Sequence, residues 1–239
     1  MLKVRYIYDI DNQPINEYTL KNGRYQISAL NLGATITKII VPNKLNKLEN
    51  ITLRYHDYKL YQNNLNLLGC LINMNKFLNN EICVINDYFK CNVTENCLYF
   101  SNENTCITYT LKENMLIISW ESNNIYLGQS LFFNFSGNVK DHILSHNVYI
   151  NENKIDLHEE INFYKTPNIK NSNIDIKIQY PENGINVDIV TNNNDIYYTF
   201  GKHFNKMFKI NKGILAEIYS GLGVIFAKDK DNEIIYHFN

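Results

Sequence analysis

Glu217 is the residue of this chain best placed, by type and neighbours, to move a proton. It sits between Ala216 and Ile218 in the apolar run Gly213-Ile214-Leu215-Ala216-Glu217-Ile218-Tyr219. Partial burial in such a run raises a carboxyl pKa toward the range a general base needs. A solvent-facing glutamate on an alternating strand would read the same way, since Leu215 and Tyr219 flank it at spacing two. Six histidines supply candidate acids: His56, His142, His146, His158, His203 and His237. His203 follows directly on the Tyr198-Thr199 strand and is the first candidate, against the alternative of a surface-loop histidine. Asn75-Lys76-Phe77 reads, on its own, as ordinary turn residues of an asparagine-rich chain. The five cysteines (Cys70, Cys83, Cys91, Cys97 and Cys106) contain no Cys-x-x-Cys, which points to reduced, small buried side chains and away from zinc.

Several classes of chemistry are excluded. There is no Gly-x-Ser-x-Gly elbow, no P-loop and no Gly-x-Gly-x-x-Gly. A formal net charge of −1 gives no basic excess to neutralise phosphates, so no nucleic-acid partner is expected. The Met1-Leu2-Lys3-Val4-Arg5-Tyr6 start lacks a signal-type apolar core and no run reaches spanning length, so no membrane partner and a cytoplasmic location are expected. About 40 asparagines, with abundant Ile, Lys and Tyr, fit A/T-rich codons better than a functional tract, because they are dispersed among apolar residues.

Short alternating segments must position these residues. Arg24 to Leu30 alternates, and Thr35 to Val41 stops at Pro42. Cys106 to Leu111 and Met115 to Trp120 flank Lys112-Glu113-Asn114 as a hairpin with a three-residue turn. Ile185 to Thr191 and Ile196 to Phe200 flank Asn192-Asn193-Asn194-Asp195, and Glu233 to Phe238 closes the chain. Helical spacing is weak everywhere, with a turn or two over His56 to Leu68. The pattern predicts an all-β chain with very little helix, a large β-sandwich in one domain over 1–239. Within it, Ser130-Leu131-Phe132-Phe133-Asn134-Phe135-Ser136-Gly137 reads as a mid-sheet strand whose Asn134 ties its end to a loop.

Four segments, in order, carry a family resemblance. Thr19 to Ile36 resembles an opening hairpin with an N-Y-G-A type turn (here Asn31-Leu32-Gly33-Ala34), followed by Val41-Pro42-Asn43. Leu131 to Gly137 resembles S-Y-F-N-L-x-G, Asp195 to Thr199 resembles Q-x-Y-T, and Gly213 to Glu217 resembles the strand of an essential glutamate. The chain is thus similar to the aldose 1-epimerases, or galactose mutarotases, as a shortened and divergent member. The resemblance implies a galactose mutarotase-like supersandwich that binds a monosaccharide, a hexose or derivative, and interconverts its anomers without a cofactor or metal. It implies Glu217 as base and places Asn75, Lys76, Ser130 and Tyr198 at the substrate. Ser130 stands where the family has its acid histidine, no histidine stands at the L-H-G-G position (here Cys97-Leu98-Tyr99-Phe100), and Asp175 is the nearest match to the family aspartate. A serine hydroxyl donates a hydrogen bond but is no acid near neutral pH, which makes His203 the candidate replacement. A sugar-binding or regulatory protein without catalysis, or an interaction module without a sugar site, are the other readings.

Overall fold

Residues with alternating side chains pair here into antiparallel ladders, and the ladders stack. The computed structural model describes residues 1–123, 125–137, 143–157, 161–165, 174–192, 195–200, 209–210, 214–215, 221–227 and 232–239. Leu2–Ile10, Gln13–Asn22, Tyr25–Leu30, Ile36–Pro42 and Leu48–Asn50 form a five-stranded meander in chain order. The turn at 31–34 brings Gly33 (φ +61°) so close to Ile85 that an added Cβ would meet its carbonyl oxygen at 2.2 Å. Only glycine fits there.

A nine-stranded sheet follows the order Asn153–Lys154, Asn147–Ile150, Ile174–Tyr180, Ile185–Thr191, Asn232–Phe238, Met115–Ser122, Thr105–Lys112, Cys97–Ser101, Lys90–Val93. A second five-stranded sheet runs Ile161–Lys165, Asp195–Phe200, Leu222–Ala227, Leu127–Phe133, Leu71–Asn73. Lys209–Ile210 and Ile214–Leu215 form a two-stranded pair. The core lies between the nine-stranded and second five-stranded sheets. Phe133 and Phe226 meet Tyr236 there, with ring centroids 6.0 and 6.5 Å apart. The meander joins the same core through Leu20, Ile27 and Ala29 and through Tyr18 against Phe100, centroids 5.8 Å apart. Each fully buried Phe or Ile contributes about 1.5–3 kcal/mol of burial free energy.

The all-β expectation, with very little helix, is met. The described helices are α-helix Met74–Leu78 and the 3-10 turns Tyr58–Gln62 and Ile143–Ser145. Tyr58–Gln62 is what becomes of the weak helical pattern over His56 to Leu68. Among the described residues no helix is long and apolar enough to cross a membrane. Three local readings need correction. Lys112 pairs with Met115, so the hairpin turn is the two residues Glu113-Asn114, with Glu113 at φ +45°. The strands flanking Asn192 to Asp195 do not pair: Ile185–Thr191 belongs to the nine-stranded sheet and Asp195–Phe200 to the facing one. The expected role of Asn134 needs no correction: it ties its strand end to the adjoining loop, accepting from Ser136 N at 3.0 Å and Ser136 Oγ at 2.6 Å, while its backbone N–H donates to Ile51 O. All five cysteines are free, and three of them (Cys91, Cys97 and Cys106) are partly exposed rather than buried. Burial pushes the Cys70, Cys83, Cys91 and Cys97 thiols up.

Candidate functional site

In Leu127–Phe133 the side chains of Leu127, Leu131 and Phe133 enter the inter-sheet core, so Gly128, Ser130 and Phe132 leave on the opposite face. Backbone register extends that face across the sheet. Ser130 is the Cα partner of Ile225, Ile225 of Tyr197, and Tyr197 of Lys165. Facing partners in an antiparallel ladder share a face. Ser130 and Tyr197 therefore stand in one row, about 10 Å apart at two strand spacings. The neighbouring rows are Gly128, Ala227, Asp195 and Phe132, Gly223, Thr199.

Ser130 is fully buried and its Oγ makes no hydrogen bond. A buried hydroxyl without a partner costs about 1–3 kcal/mol, so the position has a reason other than stability or is tolerated at a loss. Its backbone N–H donates to Cys70 O at 2.9 Å.

At the other end of the row lies a polar cluster. Tyr126 OH donates to Asp195 Oδ2 at 2.5 Å, and Lys165 Nζ pairs with Asp195 Oδ1 at 2.5 Å. Lys165 Nζ also lies 5.6 Å from the centroid of the Tyr197 ring. The hydrogen bond to Asp195 raises the Lys165 pKa above the ordinary lysine value. Burial pushes the Tyr197 phenol up, partly offset by the Lys165 charge.

The helix Met74–Leu78 covers this face. Asn73 caps it, accepting from Lys76 N at 3.2 Å, and Met74 N–H donates to Tyr126 O at 2.8 Å. Met74 packs so tightly on Gly128 that a Cβ there would meet its sulfur at 2.7 Å. Phe77 sets its ring edge-on to Tyr197, centroids 5.6 Å apart. Asn75 and Lys76, on the same helix, are exposed.

The approach to Cys70 is anchored on the meander. Glu17, 3% exposed, accepts from Tyr58 OH and Thr37 Oγ1, each at 2.6 Å, and pairs with Arg5 at 3.0 Å and Lys38 at 3.3 Å. Arg5 also stacks 4.9 Å above the Tyr58 ring. Burial pushes the Glu17 pKa up, but the bonds from Thr37 and Tyr58 and the charges of Lys38 and Arg5 outweigh it and hold the carboxyl below its usual value. For Lys38 burial wins over the Glu17 charge and the pKa falls. Burial, then the Glu17 bond, raises the Tyr58 phenol to about 12.

By sequence alone, no family model and no curated protein matches the chain. By structure, it is similar to galactose 1-epimerase from Lactobacillus acidophilus NCFM, with TM-score 0.76, 14% identity, and 100% of this chain and 98% of that chain covered. It is also similar to a GalM/aldose epimerase homologue from C. elegans, with TM-score 0.73, 13% identity, and coverage of 94% and 99%. A galactose mutarotase related enzyme from Lactobacillus acidophilus superposes with TM-score 0.61, 11% identity, and coverage of 93% and 97%. The chain has the aldose epimerase-like fold.

On this fold the expected site residues fall into three groups. Ser130 and the helix carrying Asn75 and Lys76 meet on one face of the second five-stranded sheet. Tyr198 does not join them. It is the Cα partner of Val224, lies in the inter-sheet core and stacks on Phe200 with centroids 6.3 Å apart. The two-residue period of a strand decides this: successive side chains take opposite faces, so Tyr197 takes the face that Tyr198 was expected to occupy. Glu217 and His203 lie outside the described residues, as do His142 and His158. Asp175 is exposed on the nine-stranded sheet, away from Ser130's sheet. His146 is buried, accepts from Phe135 N–H through Nε2 at 2.9 Å and stacks on Tyr180 at 4.5 Å, holding the turn after the Ser130 strand. Sequence reading missed Tyr126, Lys165, Asp195 and Tyr197. The parity of Asp195-Ile196-Tyr197 could have found two of them, since Ile196 is the natural core residue of that strand.

Proposed function

We propose that the chain binds a monosaccharide on the Ser130 face and interconverts its α and β anomers. The base, Glu217, takes the proton from the anomeric hydroxyl while the acid, His203, gives one to the ring oxygen. The C1–O5 bond breaks to an open-chain aldehyde, which turns about C1–C2 and recloses on either face. The proton returns to the anomeric oxygen and the ring oxygen gives its own back, so the reaction has no net consumption. Asn75 and Lys76 reach the sugar hydroxyls from the covering helix, Ser130 Oγ offers one hydrogen bond from the sheet, and Tyr197 stands in the place expected for Tyr198. Lysine, where the resemblance has arginine, keeps the charge without the two-pronged geometry.

The single observation that carries the reading is the buried, unpartnered Ser130 Oγ on a strand of the aldose epimerase-like fold. Polarimetry on freshly dissolved α-D-glucose and α-D-galactose tests it. A rate above the buffer blank that disappears in Glu217→Gln supports the reading, and a rate equal to the blank at high protein overturns it for those sugars.

A second reading, binding without turnover, is favoured by Ser130 itself, because its hydroxyl cannot replace a histidine acid. Sugar-dependent thermal stabilisation in a protein with no epimerase rate would select it.

A further inference from the structure

We propose that the strand Leu2–Ile10 is a docking edge for an extended acidic peptide segment of another protein, which adds to the meander as a further antiparallel strand. At nine residues it is the longest edge strand among the described residues, where the others run two to five. Sheets are ordinarily protected by short or blocked edges, because open peptide groups recruit further strands. The open groups of this edge follow from its pairing. Met1 and Lys21 exchange both backbone bonds, at 2.8 and 3.0 Å, so Lys3 and Arg5 bond inward, to Thr19 and Glu17. The N–H and C=O groups of Leu2, Val4 and Tyr6 then point away from the sheet. A bulge between Tyr6 and Tyr8 ends this run and leaves a seat from Leu2 to Tyr6.

The two faces of the seat differ in chemistry. Leu2, Val4 and Tyr6 share one face and are 44%, 50% and 59% exposed. Leu2 faces Leu20 and Val4 faces Tyr18, which lie in or against the core, so this apolar face continues outward from the core. Lys3 and Arg5 take the other face. The Lys3 row runs through Thr19 and Ser28 to Lys38, and Arg5 faces Glu17. Lys38 reaches the same carboxylate, and Lys21 shares the face by strand parity. Lys3, Arg5, Lys21 and Lys38 thus stand against the one carboxylate of Glu17, and Lys3 has no ion pair among the described residues. A second copy of the chain is the wrong occupant. Each antiparallel register that pairs two or more of Leu2, Val4 and Tyr6 with their copies sets Lys3 or Arg5 opposite a like cation, which is unfavourable. Carboxylates at those two positions reverse the sign. The complementary segment alternates apolar and acidic residues, held by main-chain bonds and selected by its alternate side chains.

The test uses the full chain and the peptide acetyl-Val-Glu-Val-Glu-Val-amide at low salt, followed by amide chemical shifts and hydrogen exchange. Shifts from Leu2 to Tyr6 should saturate with a Kd on the order of 1 mM. The Val4 amide, which gains an acceptor, should exchange severalfold more slowly in the complex. Val4→Pro deletes that outward N–H and leaves the bonds to the neighbouring strand in place, so binding should fall about tenfold while the thermal midpoint moves little. Lys3→Glu should weaken the acidic peptide severalfold and admit acetyl-Val-Lys-Val-Lys-Val-amide in its place. In the wild type, the basic peptide should not bind, a readout that depends on no variant. Equal binding of the two peptides to the wild type would overturn the proposal. So would unchanged affinity in Val4→Pro, or no saturable shift from Leu2 to Tyr6 up to about 10 mM acidic peptide. Val4 protection that rises with protein concentration in the absence of peptide would assign the edge to a second copy instead.

Discussion

Ser130 and Tyr197 stand in one row of the second five-stranded sheet, with Ile225 between them, and all three side chains leave the sheet on the same face. That row joins an unpartnered hydroxyl at one end to the Lys165–Asp195–Tyr126 cluster at the other.

The unpartnered hydroxyl makes opposite demands on stability and binding. Ser130→Ala removes a buried polar atom and should raise unfolding free energy by about 1 kcal/mol in urea titration. The same substitution should weaken monosaccharide affinity several-fold. A variant that is destabilised, or that binds sugar unchanged, would count against a ligand role for Ser130.

Gly223 is the Cα partner of Phe132, and a Cβ there would meet Phe132 Cε1 at 2.1 Å. Phe132 is packed among Leu53, Tyr55 and Tyr61 and has nowhere to go. Gly223→Ala should cost about 1–3 kcal/mol by overpacking. Chemical denaturation checks it, and a neutral substitution would mean the sheet face is looser than described.

Legibility of the fold followed alternation. Thr105–Leu111 and Met115–Trp120 switch between buried and half-buried residues at every step, and the sequence shows this as a hairpin. Leu222–Ala227 is buried at all six positions, so it has no alternation to read and sequence analysis passed over it. The helix Met74–Leu78 has five residues, too few for a 3.6-residue period to appear. The same parity rule explains the site. Ser130 was legible through its place before Leu131-Phe132-Phe133-Asn134, whereas choosing between Tyr197 and Tyr198 needs the strand's facing, which only the ladder supplies.

The buried carboxylate makes stability depend on acid. The Glu17 pKa lies below the ordinary value of 4.5 in the fold, so its contribution is fully present above the unfolded pKa. It is lost as pH falls through the folded value. Melting temperature should therefore drop on acidification below about 4.5, and Glu17→Gln should flatten part of that drop. At neutral pH the same variant should cost about 3 kcal/mol, because Arg5 and Lys38 lose their partner. An acid profile identical to wild type would assign the loss to other carboxylates.

The polar cluster should matter to ligand affinity more than to folding. Lys165 and Asp195 are partly exposed, and such pairs contribute about 0–1 kcal/mol to stability. Asp195→Asn frees Lys165 from its anchor beside Tyr197, so sugar affinity should fall while the denaturation midpoint moves little. Equal loss of both would make the cluster structural only.

The central claim is that a monosaccharide binds on the Ser130 face. Methyl-labelled isoleucine offers the most direct measurement, because Ile225 lies between Ser130 and Tyr197 while Ile235 lies on the nine-stranded sheet. During titration with D-galactose and D-glucose, the Ile225 methyl signal should shift saturably and Ile235 should stay in place. A saturable shift confined to Ile235, or none at Ile225 while the protein binds either sugar, would contradict the account.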